Sequence, residues 1–209
     1  MRKFAFIFLM VFNITGACAL FPARSTISVS DIIVKPKIVK LDDIVKQEVQ
    51  TKFPWVTDRL YTIIAKESAK YDAVNPMLVA SLIWKESRGK SYATGPKRKV
   101  PIMRTDGSYY YKVVRARGYM QVMPFHYRGK KENLYIPAIN IKEGVEELAS
   151  CYNKFESDIG ALKCYNAGPR HKVYRNWPYV REITTNYEDI SQNVMDSVLV
   201  YIENGYEVI

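Results

Sequence analysis

Asn75-Pro76-Met77-Leu78-Val79-Ala80-Ser81-Leu82-Ile83-Trp84-Lys85-Glu86-Ser87 opens on a helix-start signal, runs through an apolar stretch and closes on a carboxyl. An asparagine side chain can accept from the free amides of a first helical turn, and proline suits that turn because it has no amide proton to satisfy. The pair predicts a helix from Pro76 to about Glu86 or Ser87. Leu78, Leu82 and Ile83 stand eight, four and three positions before Glu86, so the glutamate shares their face. A carboxyl on an apolar face is partly desolvated, which raises its pKa and favours the protonated form that a general acid needs. The plain alternative is an exposed helix-end glutamate. Lys66-Glu67-Ser68 repeats the tripeptide around Glu86, so context has to separate the two glutamates.

Working outward, Leu60, Ile63, Ile64, Glu67 and Tyr71 recur at helical spacing from about Thr57, and Asp72 to Asn75 break the pattern. Residues 89–117 are rich in glycine, proline and basic residues. There Asp106-Gly107 separates Pro101-Ile102-Met103 from Tyr109-Tyr110-Tyr111-Lys112-Val113-Val114, which predicts a β-hairpin. Helical spacing returns at Ile141, Val145, Leu148, Tyr152 and Phe155, then at Ile159, Leu162 and Tyr165, with Gly168-Pro169 as the stop. These runs predict a helical hairpin turning near Ser157-Asp158. Cys151 and Cys164 lie six to seven residues to either side of that turn, level across an antiparallel pair, where a disulfide is sterically feasible. Asn186 to Glu203 reads as a further amphipathic helix.

The N-terminus has a different character. Arg2 and Lys3, an apolar run from Phe4 to Phe12 and small residues from Thr15 to Ala19 read as a secretory signal peptide over residues 1–19. Ala17-Cys18-Ala19 fits simple cleavage after Ala19. Thr15-Gly16-Ala17-Cys18 resembles a lipoprotein box, with threonine where leucine is usual, and would anchor the chain through Cys18. Either route leaves Cys151 and Cys164 in an oxidising compartment, periplasmic or extracellular. Residues 20–55 mix β-branched residues with lysines and predict an extended linker before a domain over 56–209. The formal charge is +10, and removal of residues 1–19 leaves 29 basic against 21 acidic residues, a balance that suits an anionic partner. An export signal points that charge at the cell wall or a membrane surface rather than nucleic acid. His126 and His171 have no metal-ligand spacing, and no glycine-rich nucleotide motif is present, so neither metal nor cofactor is expected.

The quoted stretch resembles the first signature of the lytic transglycosylase family, whose catalytic domain is similar to goose-type lysozyme. Arg117-Gly118-Tyr119-Met120-Gln121-Val122-Met123-Pro124 is similar to that family's Gly-Leu-Met-Gln signature, with Tyr119 where leucine is usual. Asn140-Ile141 with Gly144 and Leu148 matches the helix that follows, and Cys164-Tyr165-Asn166-Ala167-Gly168-Pro169 resembles Ala-Tyr-Asn-Ala-Gly. The signatures stand in the family's order over about residues 57–183; the stretch between Ser87 and Gly118 is longer than is common.

The resemblance implies a mainly α, lysozyme-like (α+β) fold with a small β-hairpin beside the cleft. It assigns catalysis to Glu86 and leaves Glu67 structural. It places Ser87, Met120, Gln121, Tyr165 and Asn166 at the substrate, with Tyr179 as the family's last tyrosine and Tyr187 as its competitor. The implied reaction cleaves the β-1,4 bond between N-acetylmuramic acid and N-acetylglucosamine in peptidoglycan and leaves 1,6-anhydromuramic ends. A hydrolytic muramidase and an inactive glycan-binding scaffold are the rivals. The partners expected are glycan strands and, as a further possibility, a cell-envelope secretion or conjugation complex; a monomer is expected. The basic and tyrosine-rich hairpin is expected to form one wall of the cleft.

Overall fold

The computed structural model describes residues 37–125, 127–168 and 177–209. The signal segment with Cys18, the linker as far as residue 36, His126 and residues 169–176 with His171 lie outside the described residues. The elements run β1 (Lys37–Val39), α1 (Leu41–Lys52), α2 (Asp58–Ser68), α3 (Pro76–Ser87), β2 (Arg98–Met103), β3 (Tyr109–Val114), a short 3-10 turn (Lys131–Tyr135), α4 (Pro137–Phe155), α5 (Asp158–Ala167), α6 (Trp177–Glu203) and β4 (Tyr206–Val208). Among the described residues the fold is mainly helical, with one small antiparallel pair and one short parallel pair.

Helix α3 is the apolar centre. Leu78, Val79, Ala80, Leu82 and Ile83 are all buried, and a helix that is apolar nearly all round has to be wrapped by others. The wrapping comes from Leu60 and Ile64 of α2, Ile141, Val145 and Leu148 of α4, Leu162 of α5, and Val180, Ile183 and Ile190 of α6. Each fully buried aliphatic side chain contributes about 1.5–3 kcal/mol relative to exposure. The start of α3 is as predicted, with Asn75 Oδ1 accepting from the Met77 amide at 2.8 Å.

Two element readings need correction. Residues 37–55 are not an extended linker: Leu41–Lys52 form α1, which buries Ile44 and Val49. Those two positions are five apart with charged residues between them, so no local period marks the helix. Its order comes from packing and pairing with α6, through Lys52 to Asp189 at 2.8 Å and Ser197 donating to Glu48 at 2.8 Å. The last helix is also longer than Asn186–Glu203. It is already helical at Trp177, and the buried Val180, Ile183, Ile190 and Val194 mark one face throughout. Strand β1 pairs in parallel with β4, Lys37 opposite Tyr206 and Val39 opposite Val208.

Helices α4 and α5 form the predicted helical hairpin, and Cys151 is joined to Cys164 with their Cα atoms 5.7 Å apart. Ser157 caps α5 by accepting from the Gly160 amide at 3.2 Å. The bridge spans 13 residues of sequence, and so short a loop limits its contribution to about 2–3 kcal/mol. Reduction is therefore expected to lower the melting temperature by roughly 5–10 °C in a domain of this size. Calorimetry with and without a phosphine reductant checks this; unchanged melting would show the bridge to be dispensable.

Candidate active site

Glu86 sits in the last turn of α3, which ends at Arg88 in the left-handed region (φ 54°). That turn is clamped to α6: Lys85 pairs with Glu182, and Arg88 Nη1 donates to Glu182 Oε1 at 2.6 Å. Tyr179 lies three residues before Glu182 on the same helix. The clamp sets the register that brings the Tyr179 hydroxyl to Glu86, to whose Oε1 it donates. Burial pushes the Glu86 carboxyl above its ordinary value, and the Tyr179 bond and the charges of Arg98 and Lys85 offset part of that rise. Glu67 takes no part in the site; it pairs with Lys70. Tyr187 is two turns further along α6 and only partly buried, so Tyr179 is the tyrosine placed against Glu86.

A second element of the site is the loop from Gly118 to Met123. Gly118 adopts φ 77°, and a Cβ there would meet Leu134 O at 2.3 Å and Asn140 Nδ2 at 2.4 Å, so only glycine fits. Asn140, wholly buried, holds the loop: its Oδ1 accepts from the Met120 amide at 2.7 Å, and its Nδ2 donates to Arg117 O at 2.8 Å and Leu134 O at 2.9 Å. Met120 is wholly buried and packs on Gly144, where a Cβ would come within 2.6 Å of it. The reading of Met120 as a substrate-facing residue is therefore corrected. Its side chain is a peg beneath the cleft, because residue 120 points inward on a loop that Asn140 grips by the backbone. Its carbonyl accepts from Tyr165 at 2.7 Å. Gln121, at φ 50°, donates to Gly118 O at 2.8 Å and Ala93 O at 3.2 Å. Tyr119, in the place where leucine was expected, stacks on Trp55 with ring centroids 6.1 Å apart. This explains the aromatic residue there: Trp55 covers Gly89 and leaves a flat face for a ring.

These parts enclose a cavity of about 360 Å³ lined by Glu86, Ser87, Gln121, Tyr165 and Asn166, with Arg98 and Ala116 from the root of the β2–β3 hairpin. Five of the expected site residues thus meet in one concavity, and Tyr179 reaches Glu86 beside it. Ser87 lines the cavity while its hydroxyl donates back to Ile83 O at 3.1 Å. The hairpin is antiparallel, Arg98 opposite Val114 and Met103 opposite Tyr109. Its Tyr109 and Tyr111 are exposed, and Arg104 lies over the Tyr110 ring at 5.2 Å. Among the described residues no group of three or more His, Cys, Asp or Glu side chains is placed to hold a metal ion. No helix among them is long and apolar enough to cross a membrane.

Sequence reading missed one carboxyl, Glu147 of α4, which lines the same cavity. Burial, with a smaller contribution from the Glu86 charge, pushes it up to about 7. The signal was present: Glu147 stands three residues after Gly144 and four before Cys151, both buried, whereas its neighbour Glu146 faces solvent.

The domain is mainly helical, with a partly desolvated carboxyl in a cleft beside a small β-hairpin. The chain belongs to the transglycosylase SLT domain family, whose pattern residues 58–181 match. The X-ray structure of an inactive mutant of the lytic transglycosylase Slt from Pseudomonas aeruginosa is similar to it at 19% identity and a TM-score of 0.41. The alignment covers 76% of this chain and 26% of that one, so this chain spans about a quarter of that protein's length. No curated protein matches the chain.

Proposed function

We propose that this protein is an exported peptidoglycan lytic transglycosylase with Glu86 as its acid and base. The observation that carries the reading is the Glu86 carboxyl, desolvated and bonded by Tyr179 in a cleft built within the matched SLT residues. Most glycosidases use two carboxylates, one to protonate the leaving oxygen and one as base or nucleophile. Here Glu86 protonates the oxygen that bridges N-acetylmuramic acid to N-acetylglucosamine, and the C1–O bond breaks with its electron pair going to that oxygen. The substrate's N-acetyl carbonyl stabilises the cation left at C1. Glu86, now a carboxylate, takes the proton of the muramic C6 hydroxyl, and the C6 oxygen closes onto C1 as a 1,6-anhydro ring. No water is consumed.

Gln121, Asn166 and Tyr165 line the sugar site, and Ser87 shapes its floor. Arg98 and the exposed basic and tyrosine side chains of the hairpin hold the strand by charge and ring faces, which suit the carboxylates and sugars of the wall. Glycan strands are the substrate, no cofactor is needed, and the signal segment directs the chain across the inner membrane.

The test is product mass. Purified protein acting on peptidoglycan is expected to release muropeptides one water lighter than a muramidase digest, read by mass spectrometry. Hydrated products would identify a hydrolase, and intact wall would favour a glycan-binding scaffold.

A further inference from the structure

Two carboxyls share the cleft. Glu86 arrives on α3 and Glu147 on α4, and both line the cavity that Tyr165 of α5 also faces. Tyr179 of α6 feels the charge of both. The other charged groups around Glu147 are Arg88 at the end of α3 and Arg98 at the start of β2, which line the same cavity, and, on its own helix, Glu143, Glu146 and Lys154, which line a neighbouring cavity that Glu147 also borders. Glu147 therefore stands where two concavities meet, able to face a bound sugar while remaining partly buried.

We propose that Glu147 is a second catalytic carboxylate that works with Glu86 as a coupled pair: ionised, it faces the positive charge that develops on the sugar as Glu86 gives up its proton. This rests on the transglycosylase reading above. Glu147 forms and breaks no bond; the proton still travels from Glu86 to the bridging oxygen and returns to Glu86 from the C6 hydroxyl. Its contribution is charge, in a site where a fixed anion acts more strongly than in water. The same charge holds the proton on Glu86 to higher pH, because two neighbouring carboxylates resist ionising together.

Burial raises both carboxyls and the Glu86 charge helps lift Glu147 to about 7, so around neutral pH the pair holds a single proton that the two share. The active form carries one proton, on Glu86. Below the first step both carboxyls are protonated and the anion is missing; above the second, Glu86 has lost its proton. Wild-type rate is then bell-shaped in pH.

The experiment compares wild type, Glu147→Gln and Glu147→Asp in muropeptide release across pH, alongside NMR titration of ¹³C-labelled glutamate carboxyls. Glu147→Gln is expected to lower kcat about tenfold to a hundredfold with KM within about twofold, less than the loss of a directly bonded stabiliser. Its alkaline limb, and the Glu86 titration, should move down by about one pH unit as the like charge is removed. Glu147→Asp keeps the charge and should keep the bell. A Glu147→Gln variant whose rate falls with its alkaline limb in place would reduce Glu147 to a structural role, and an unmoved Glu86 titration would overturn the pair outright. Wild-type protein inert on peptidoglycan would instead sink the transglycosylase reading, and the carboxyl titration would still test the pair.

Discussion

Glu86→Gln is expected to lower wall cleavage about 10⁴-fold, the upper end for a positioned acid or base, because one carboxyl serves both steps. Fold and binding should survive. Glutamine keeps the shape and an oxygen for the Tyr179 hydroxyl to bond. The variant should even be more stable at neutral pH. Burial raises the folded Glu86 carboxyl above its ordinary 4.5. The folded state then holds a proton that the unfolded state has released, so wild-type stability falls as pH rises from 4.5 through the raised value. Glutamine has no charge to bury. Its melting temperature should equal that of wild type below pH 4.5 and exceed it above the folded pKa. Muropeptide release and melts at both ends of this range check the two halves together. Cleavage within tenfold of wild type would remove Glu86 from the mechanism, and a variant less stable at neutral pH would show that the carboxyl is not desolvated.

The helices that carry the site were legible where a strong local signal coincided with burial. Asn75-Pro76 marks the start of α3, and the apolar run behind Glu86 is the part the core wraps. The level placement of Cys151 and Cys164 across a predicted turn led to their pairing because an antiparallel helical hairpin has little other register to adopt. α1 was illegible for the opposite reason. Its buried positions, Ile44 and Val49, do not repeat at helical spacing, and its cap residue Lys40 makes no side-chain bond. α6, more than a hundred residues away in sequence, supplies most of the surface that orders it, as Lys52 and Glu48 show.

Within the site, residue type was legible and direction was not. Glu86, Gln121, Tyr165 and Asn166 line one cavity. Met120 belongs to the same signature yet points away, because the loop's direction is set by an asparagine twenty residues later. Glu147 was hidden among the acids of α4, which look like a solvated face until the buried Gly144 and Cys151 show which side is inward. Whether a loop side chain faces substrate or core depends on long-range backbone bonds, and single-sequence periodicity does not contain them.

Asn140→Asp is the change expected to do most damage to the fold. The side chain is fully buried, and its amide NH₂ satisfies two carbonyls, Arg117 O and Leu134 O. Aspartate is close in size but turns that donor pair into an acceptor, so two buried carbonyls lose partners and face a third oxygen. A buried group left unsatisfied costs about 1–3 kcal/mol, so the total should be roughly 3–5 kcal/mol. In a domain of this size that lowers the melting temperature by about 10–15 °C. The loss should grow with pH. An aspartate in this position resists ionisation, so its folded pKa rises above the unfolded value of about 3.9, and stability falls as pH climbs through that window. Asn140→Ala lacks the charge and should show a smaller loss with no such slope. Because Asn140 also fixes the Met120 amide, and the Met120 carbonyl holds Tyr165, both variants should loosen the cavity wall and raise KM for glycan strands before the protein melts. Thermal melts of the two variants across pH 4–8, with wall cleavage measured well below the transition, decide the matter. Equal losses at both ends of the range would show that the aspartate stays solvated, and melting within about 2 °C of wild type, less than 1 kcal/mol, would show that the loop is held by something other than Asn140.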